Sequence, residues 1–138
     1  MVEDQDFPTR GLLDTSVLIA AESGRPLDAS RLPAQGCLSV IAAAELEAGV
    51  QAANDIETRA QRLMTYQLAM RMELLPVDRQ AAHQWARLRV AVAQAKRRVN
   101  VNDLWTAAIA LANQLPVVTQ DGDFDALVDL GGPVVIHV

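Results

Sequence analysis

The stretch Gly11-Leu12-Leu13-Asp14-Thr15-Ser16-Val17-Leu18-Ile19-Ala20 decides the fold class. An apolar run ends in an acid, and two hydroxyl residues then lead into a second apolar run. The first half predicts a short buried strand over 11–14. The second predicts a helix over about 17–22, for which Thr15 and Ser16 offer N-caps. A strand that runs straight into a capped helix opens a β–α unit, and the same pattern returns along the chain. Residues 37–40 predict a strand, with Ser39 as the cap of an alanine-rich helix over 41–53. Helices are expected over 57–72 and 81–95, the latter with Trp85, Leu88 and Val92 at core spacing. Between them, 74–77 is a weaker strand that Pro76 confines to an edge or a terminus. Another helix follows over about 100–113, then a strand over 116–119 and a turn at Asp121-Gly122. A short helix near 124–129 closes at Gly131-Gly132 before a last strand over 133–136. Short apolar strands alternating with longer helices imply an α/β fold, a three-layer α/β/α sandwich with a mainly parallel sheet.

Outward from that pattern, 138 residues suit one domain, assigned to 11–138, with the polar, acidic residues 1–10 as a flexible N-terminal tail. Cys37 is the only cysteine, so an internal disulfide is excluded. The first residues carry acids where a signal peptide needs positive charge, and no apolar stretch approaches the ~20 residues that span a bilayer. The expectation is a soluble, cytoplasmic protein with no membrane contact. Twelve basic and 17 acidic residues leave a net charge of −5, which at face value speaks against nucleic acid. The distribution argues otherwise. Between Asp78 and Asp103 no acid occurs, while Arg79, Arg87, Arg89, Lys96, Arg97 and Arg98 all fall there. Local fields, not net charge, decide what binds where.

In open parallel sheets, ligands bind beyond the carboxyl ends of the strands. Asp14 ends the first strand, Asp121 follows the fourth, and Asp103 opens the helix that feeds the fourth. Glu45 lies one turn into the helix after the second strand. Each acid alone has a plainer reading: Asp14 and Asp103 as helix caps, Glu45 as a solvated position, Asp121 as a turn residue. Four acids on one sheet edge form a less probable accident than one. Such a cluster would repel itself without a cation, and an all-oxygen donor set suits Mg²⁺, with Mn²⁺ as a substitute, and argues against Zn²⁺.

These residues resemble a known family. LLDTSVLIA, SVIAAAELEAG, VNDLWTAAIALAN and PVVTQDGDF are similar, in order, to the four acidic motifs of PIN domains, above all those of the VapC toxins of toxin–antitoxin pairs. The resemblance covers the chain from Gly11 to Val138. It implies an endoribonuclease that hydrolyses RNA phosphodiester bonds with metal-activated water, a cognate small antitoxin, and a homodimer. Asp14, Glu45 and Asp103 match the first three acids. The fourth falls on Asp121 or Asp123, with Asp121 favoured. Asp14 and Asp103 are then the primary metal ligands, joined by Glu45 and Asp121 or Asp123 as ligands or water-orienting groups.

Around them, Thr15 and Ser16 are candidate contacts to water or phosphate, or simply caps. Lys96, Arg97 and Arg98 are either phosphate contacts or a solvated helix end. Trp85 and Trp105 are assigned to packing rather than base stacking. A second motive for partner chains is apolar composition: helical stretches 41–50 and 107–112 are apolar beyond a narrow stripe, so part of that surface should meet another chain. Two rival functions use similar parts. An aspartate-based, Mg²⁺-dependent phosphatase would need a second acid two residues after Asp14, where Ser16 stands. A phosphotransfer receiver would need an acid pair before its Asp and a lysine after a later strand, and the only lysine, Lys96, lies in a helical stretch before Asp103. A non-catalytic RNA-binding module would have lost some of the acids, and here every position is filled.

Overall fold

Alternation along the strands builds two cores. The computed structural model describes residues 9–138. In β1 (Arg10–Leu13), Leu12 faces one side and Leu13 the other. In β2 (Gln35–Ser39), Cys37 and Leu38 divide in the same way. In β4 (Val117–Thr119), so do Val117 and Val118. Strands buried on both faces belong to a parallel sheet covered on both sides. With β3 (Glu73–Leu75) and β5 (Val135–His137) they form five parallel strands in the order β3-β2-β1-β4-β5. One layer holds α1 (Thr15–Ser23), α2 (Val40–Gln51) and α3 (Ile56–Ala69), and the other α4 (Arg79–Gln94) and α5 (Val101–Ala112). A 3-10 helix, Asp123–Leu130, packs beside α4 and α5. The expected three-layer sandwich is what forms.

The caps are where local sequence says they should be, with one exception. Ser39 accepts from the Ala42 amide at 3.0 Å, Asp55 from Thr58 at 2.8 Å and Asp78 from Ala81 at 2.9 Å. Asn100 accepts from Asn102 at 2.8 Å and from Asp103 at 3.4 Å. The exception is α1. Its N-cap is Asp14 rather than Thr15 or Ser16, and the Asp14 side chain makes no capping bond.

Other expectations need correction. Arg10, placed in the tail, is the first residue of β1 and pairs with Gln35; residues 1–8 of that tail lie outside the described residues. The weak strand lies at Glu73–Leu75, stops before Pro76 and does not extend to Val77; it sits at a sheet edge. The last strand begins at Val135, not Pro133. α5 needs no second chain to cover it: Ala107, Ala108, Ile109 and Ala110 are all fully buried between the sheet and α4. The uncovered apolar residues lie elsewhere, with Ile19 on α1 and Ile56, Met64 and Leu68 on α3 among them.

Candidate active site

Because β1 has β2 on one side and β4 on the other, the chain reverses its direction of travel across the sheet at β1, and a crevice opens beyond the carboxyl ends of β1 and β4. Asp14 stands there, 7% exposed. A buried carboxylate needs donors. Its Oδ2 has two: the Ser16 hydroxyl at 2.6 Å and the Thr119 hydroxyl at 2.9 Å. Both hydroxyls are themselves fixed by the backbone of the β4 loop. Ser16 Oγ accepts from the Gln120 amide at 3.0 Å, and Thr119 Oγ1 from the Asp121 amide at 3.0 Å. One Asp14 oxygen is thus held in a closed network, and Oδ1 is left for chemistry.

The other acids converge on the same edge. The Asp103 carboxyl is pushed up to about 7, first by burial and then by the charges of Asp14, Asp123, Glu45 and Asp121. Burial also raises Glu45, aided by Asp14 and opposed by a hydrogen bond from Asn102 Nδ2 to Glu45 Oε2 at 3.2 Å. Asp121 is raised by burial, then by Asp14 and Asp123, while Arg25 pulls it back. The five candidate acids therefore share one field of like charge that Arg25 and the neighbouring donors offset only in part, of the kind that a hard cation relieves. Among the described residues no three acidic, histidine or cysteine side chains stand close enough to clasp an ion as they are, so binding one means drawing carboxylates inward around the fixed Asp14.

Of the remaining candidates, Ser16 belongs to the site through its bond to Asp14, and Thr15 lies half-buried on the first turn of α1. The basic run divides. Arg97 is occupied structurally: its guanidinium forks onto Asp129 at 2.6 and 2.9 Å and donates to the Ala126 carbonyl at 2.8 Å. Its expected role as a phosphate contact gives way to bracing the 3-10 helix. Lys96 is exposed in a left-handed conformation, φ 57°, at the end of α4, and Arg98 is exposed. Trp85 and Trp105 stack on each other at 4.9 Å and 18°, as the packing assignment expects.

Four residues escaped the sequence reading: Thr119, Gln120, Asn102 and Arg25. Thr119 and Asn102 touch acids, and Gln120 ties the loop that carries Arg25 to the end of the sheet, donating to Pro26 O at 2.8 Å and Val138 O at 2.9 Å. The only local signal of Asn102, Thr119 and Gln120 was their place beside an acid in the motifs VND and TQD, and Arg25, in SGRP, had none.

Comparison with known proteins agrees with this geometry. A model of the PIN domain matches residues 11–130. Ribonuclease VapC5 of Mycobacterium tuberculosis is 50% identical over 131 residues, covering 95% of this chain and 97% of that one. Ribonuclease VapC4 of the same organism is 42% identical over 122 residues, 88% of this chain and 93% of the relative. Among solved structures, VapBC-5 of Mycobacterium tuberculosis, a member of the VapBC family of toxin–antitoxin systems, aligns with a TM-score of 0.88 and 47% identity, over 95% of this chain and 100% of that one.

Proposed function

The chain belongs to the PIN domain family, and from that membership we propose that it is the ribonuclease toxin of a toxin–antitoxin pair, working on RNA in the cytoplasm with Mg²⁺. Its relatives at 50% and 42% identity are ribonucleases, and the structure it matches over 95% of its length is of a toxin–antitoxin system. Metal dependence is general to PIN-domain ribonucleases; Mg²⁺, with Mn²⁺ as a substitute, is the choice that an all-oxygen donor set favours. Asp14, Glu45 and Asp103 hold the ion, with Asp121 or Asp123 completing the set. The observation that carries this assignment is Asp103, whose carboxyl feels all four of the others.

A bound divalent ion supplies Lewis acidity to the phosphodiester and lowers the pKa of an attacking water. The protein supplies position. Asp14, locked by Ser16 and Thr119, offers a fixed oxygen that needs no reorganisation. Asn102 steadies Glu45 from the first turn of α5. Thr15, half-buried at the start of α1 next to Asp14, is the proposed contact to phosphate or water.

Purified protein incubated with total RNA should cut it in Mg²⁺ and not in EDTA, with end mapping of the fragments giving the target sequence. Asp14→Asn should fold normally and lose roughly 100-fold or more of the rate, since even outer-sphere partners of a metal ligand are worth about 10–100-fold. Full activity in that variant would remove the metal assignment.

A further inference from the structure

We infer that the cavity between α4 and the start of α5 is a second RNA subsite, which takes a nucleotide of the strand away from the bond that is cut. The inference rests on the ribonuclease reading above. The cavity measures about 330 Å³, and its walls include Trp85, Arg89, Arg98, Val99 and Val101. That volume lies at the lower end of the ~300–1,000 Å³ of small-molecule pockets.

Its charge is free. No acid lines the cavity, and neither Arg89 nor Arg98 has an ion pair or hydrogen bond among the described residues. Arg97, also on its rim, is neutralised by Asp129. A planar guanidinium with no protein partner matches phosphate oxygens two at a time. The floor is apolar and open: Val101 is 61% exposed and Val99 half-buried. Trp85 contributes wall rather than a donor: its indole nitrogen is buried and its ring is stacked on Trp105. Two unpaired guanidiniums beside an apolar face correspond to the phosphate and the base face of one nucleotide.

Position favours RNA over a protein occupant. Val101 lines the cavity and Asp103, two residues later, faces the acid cluster. Two residues of α5 are about 3 Å of rise and about 200° of rotation, so the two sites lie on different sides of the helix's first turn, and a strand crossing that turn passes from one to the other.

The test uses the full chain and fluorescent oligouridylate of about 20 nucleotides in EDTA, where no cleavage interferes. Arg89→Ala with Arg98→Ala should weaken binding about tenfold and lower the salt slope by about 1.4, two contacts at ~0.7 each on a single strand. In Mg²⁺ the double variant's KM should rise by the same factor as its Kd. Unchanged affinity and slope would overturn the subsite, as would a double variant that keeps RNA but loses an acidic peptide or antitoxin. If the wild-type protein cuts no RNA, the ribonuclease reading falls, and the oligouridylate titration still decides whether this cavity binds nucleotide.

Discussion

At the scale of single residues, the site depends on two hydroxyls aimed at one carboxylate oxygen. Thr119→Val keeps the shape of the side chain but removes a donor to Asp14 and an acceptor for the Asp121 amide. Stability should fall by about 1 kcal/mol, the net worth of a hydrogen bond. Cleavage should fall about tenfold or more, because a partner that orients a metal ligand is lost. Denaturant melts and single-turnover rates measure the two effects separately; a variant as active as wild type would show that Asp14 needs no such support. Asp103 makes the second prediction. Its carboxyl sits near 7 in the folded metal-free chain against an ordinary 3.8. Between those values the folded state binds more protons than the unfolded one, so stability falls as pH rises through that window. Glu45 and Asp121 are raised in the same direction. In EDTA the melting temperature should therefore be higher near pH 5 than near pH 8, with Asp103→Asn flattening the trend and Mg²⁺ restoring the loss at the higher pH. A melting temperature that climbs with pH would contradict the shared field of acids.

At the scale of elements, the 3-10 helix Asp123–Leu130 carries Asp123 into the site, and Asp121 lies just ahead of it. It is short and held from outside. Arg97 grips Asp129 and Ala126 O, while Arg87 donates to the Leu130 and Gly131 carbonyls at 3.3 and 2.8 Å. Its end is tight as well. Gly131 turns left-handed at φ 76°, and a Cβ on Gly132 would lie 2.5 Å from the Leu127 carbonyl oxygen. Because that neighbour is backbone, the clash cannot be relieved by a rotamer change. Gly132→Ala should cost about 1–3 kcal/mol, as overpacking does, and should slow cleavage by moving the loop that carries Asp121. A thermal melt and an activity assay on the same preparation check both halves. Loss of stability with activity intact would show that the loop is positioned without this turn.

For the whole molecule, most of the large uncovered apolar side chains on the helices lie on α1 and α3, while the 107–110 stretch of α5 is buried. Ile56 is 88% exposed, Met64 65% and Leu68 56%. A groove of about 260 Å³ between α1, α2 and α3, lined by Ile19, Leu46 and Arg62 among others, reaches Glu45 at the site. A small antitoxin seated there would cover apolar surface and reach the acids together. Co-expression with the neighbouring upstream reading frame should rescue growth and yield a stable complex. Met64→Glu with Leu68→Glu should break that complex while RNA cleavage continues. Light scattering of the protein alone should give twice the chain mass if the same surface also serves a homodimer; a monomer would leave that surface to the proposed antitoxin.

Local spacing in the sequence determined a great deal of this protein. The strand–acid–helix pattern, the order of four acidic motifs, the cap at Ser39 and the end of β3 before Pro76 all depend on residues within a few positions of one another. Tertiary structure decided the rest, because its contacts span the chain. Thr119 meets Asp14 across 105 positions, and Arg97 meets Asp129 across 32. No local pattern marks Thr119 as a ligand support, and the run Lys96-Arg97-Arg98 reads as one basic patch until Asp129 folds against its middle residue. The apolar helix α5 is ambiguous for the same reason. Its sequence requires burial by more than one neighbour, and only the packing of α4 over it shows that this chain supplies both.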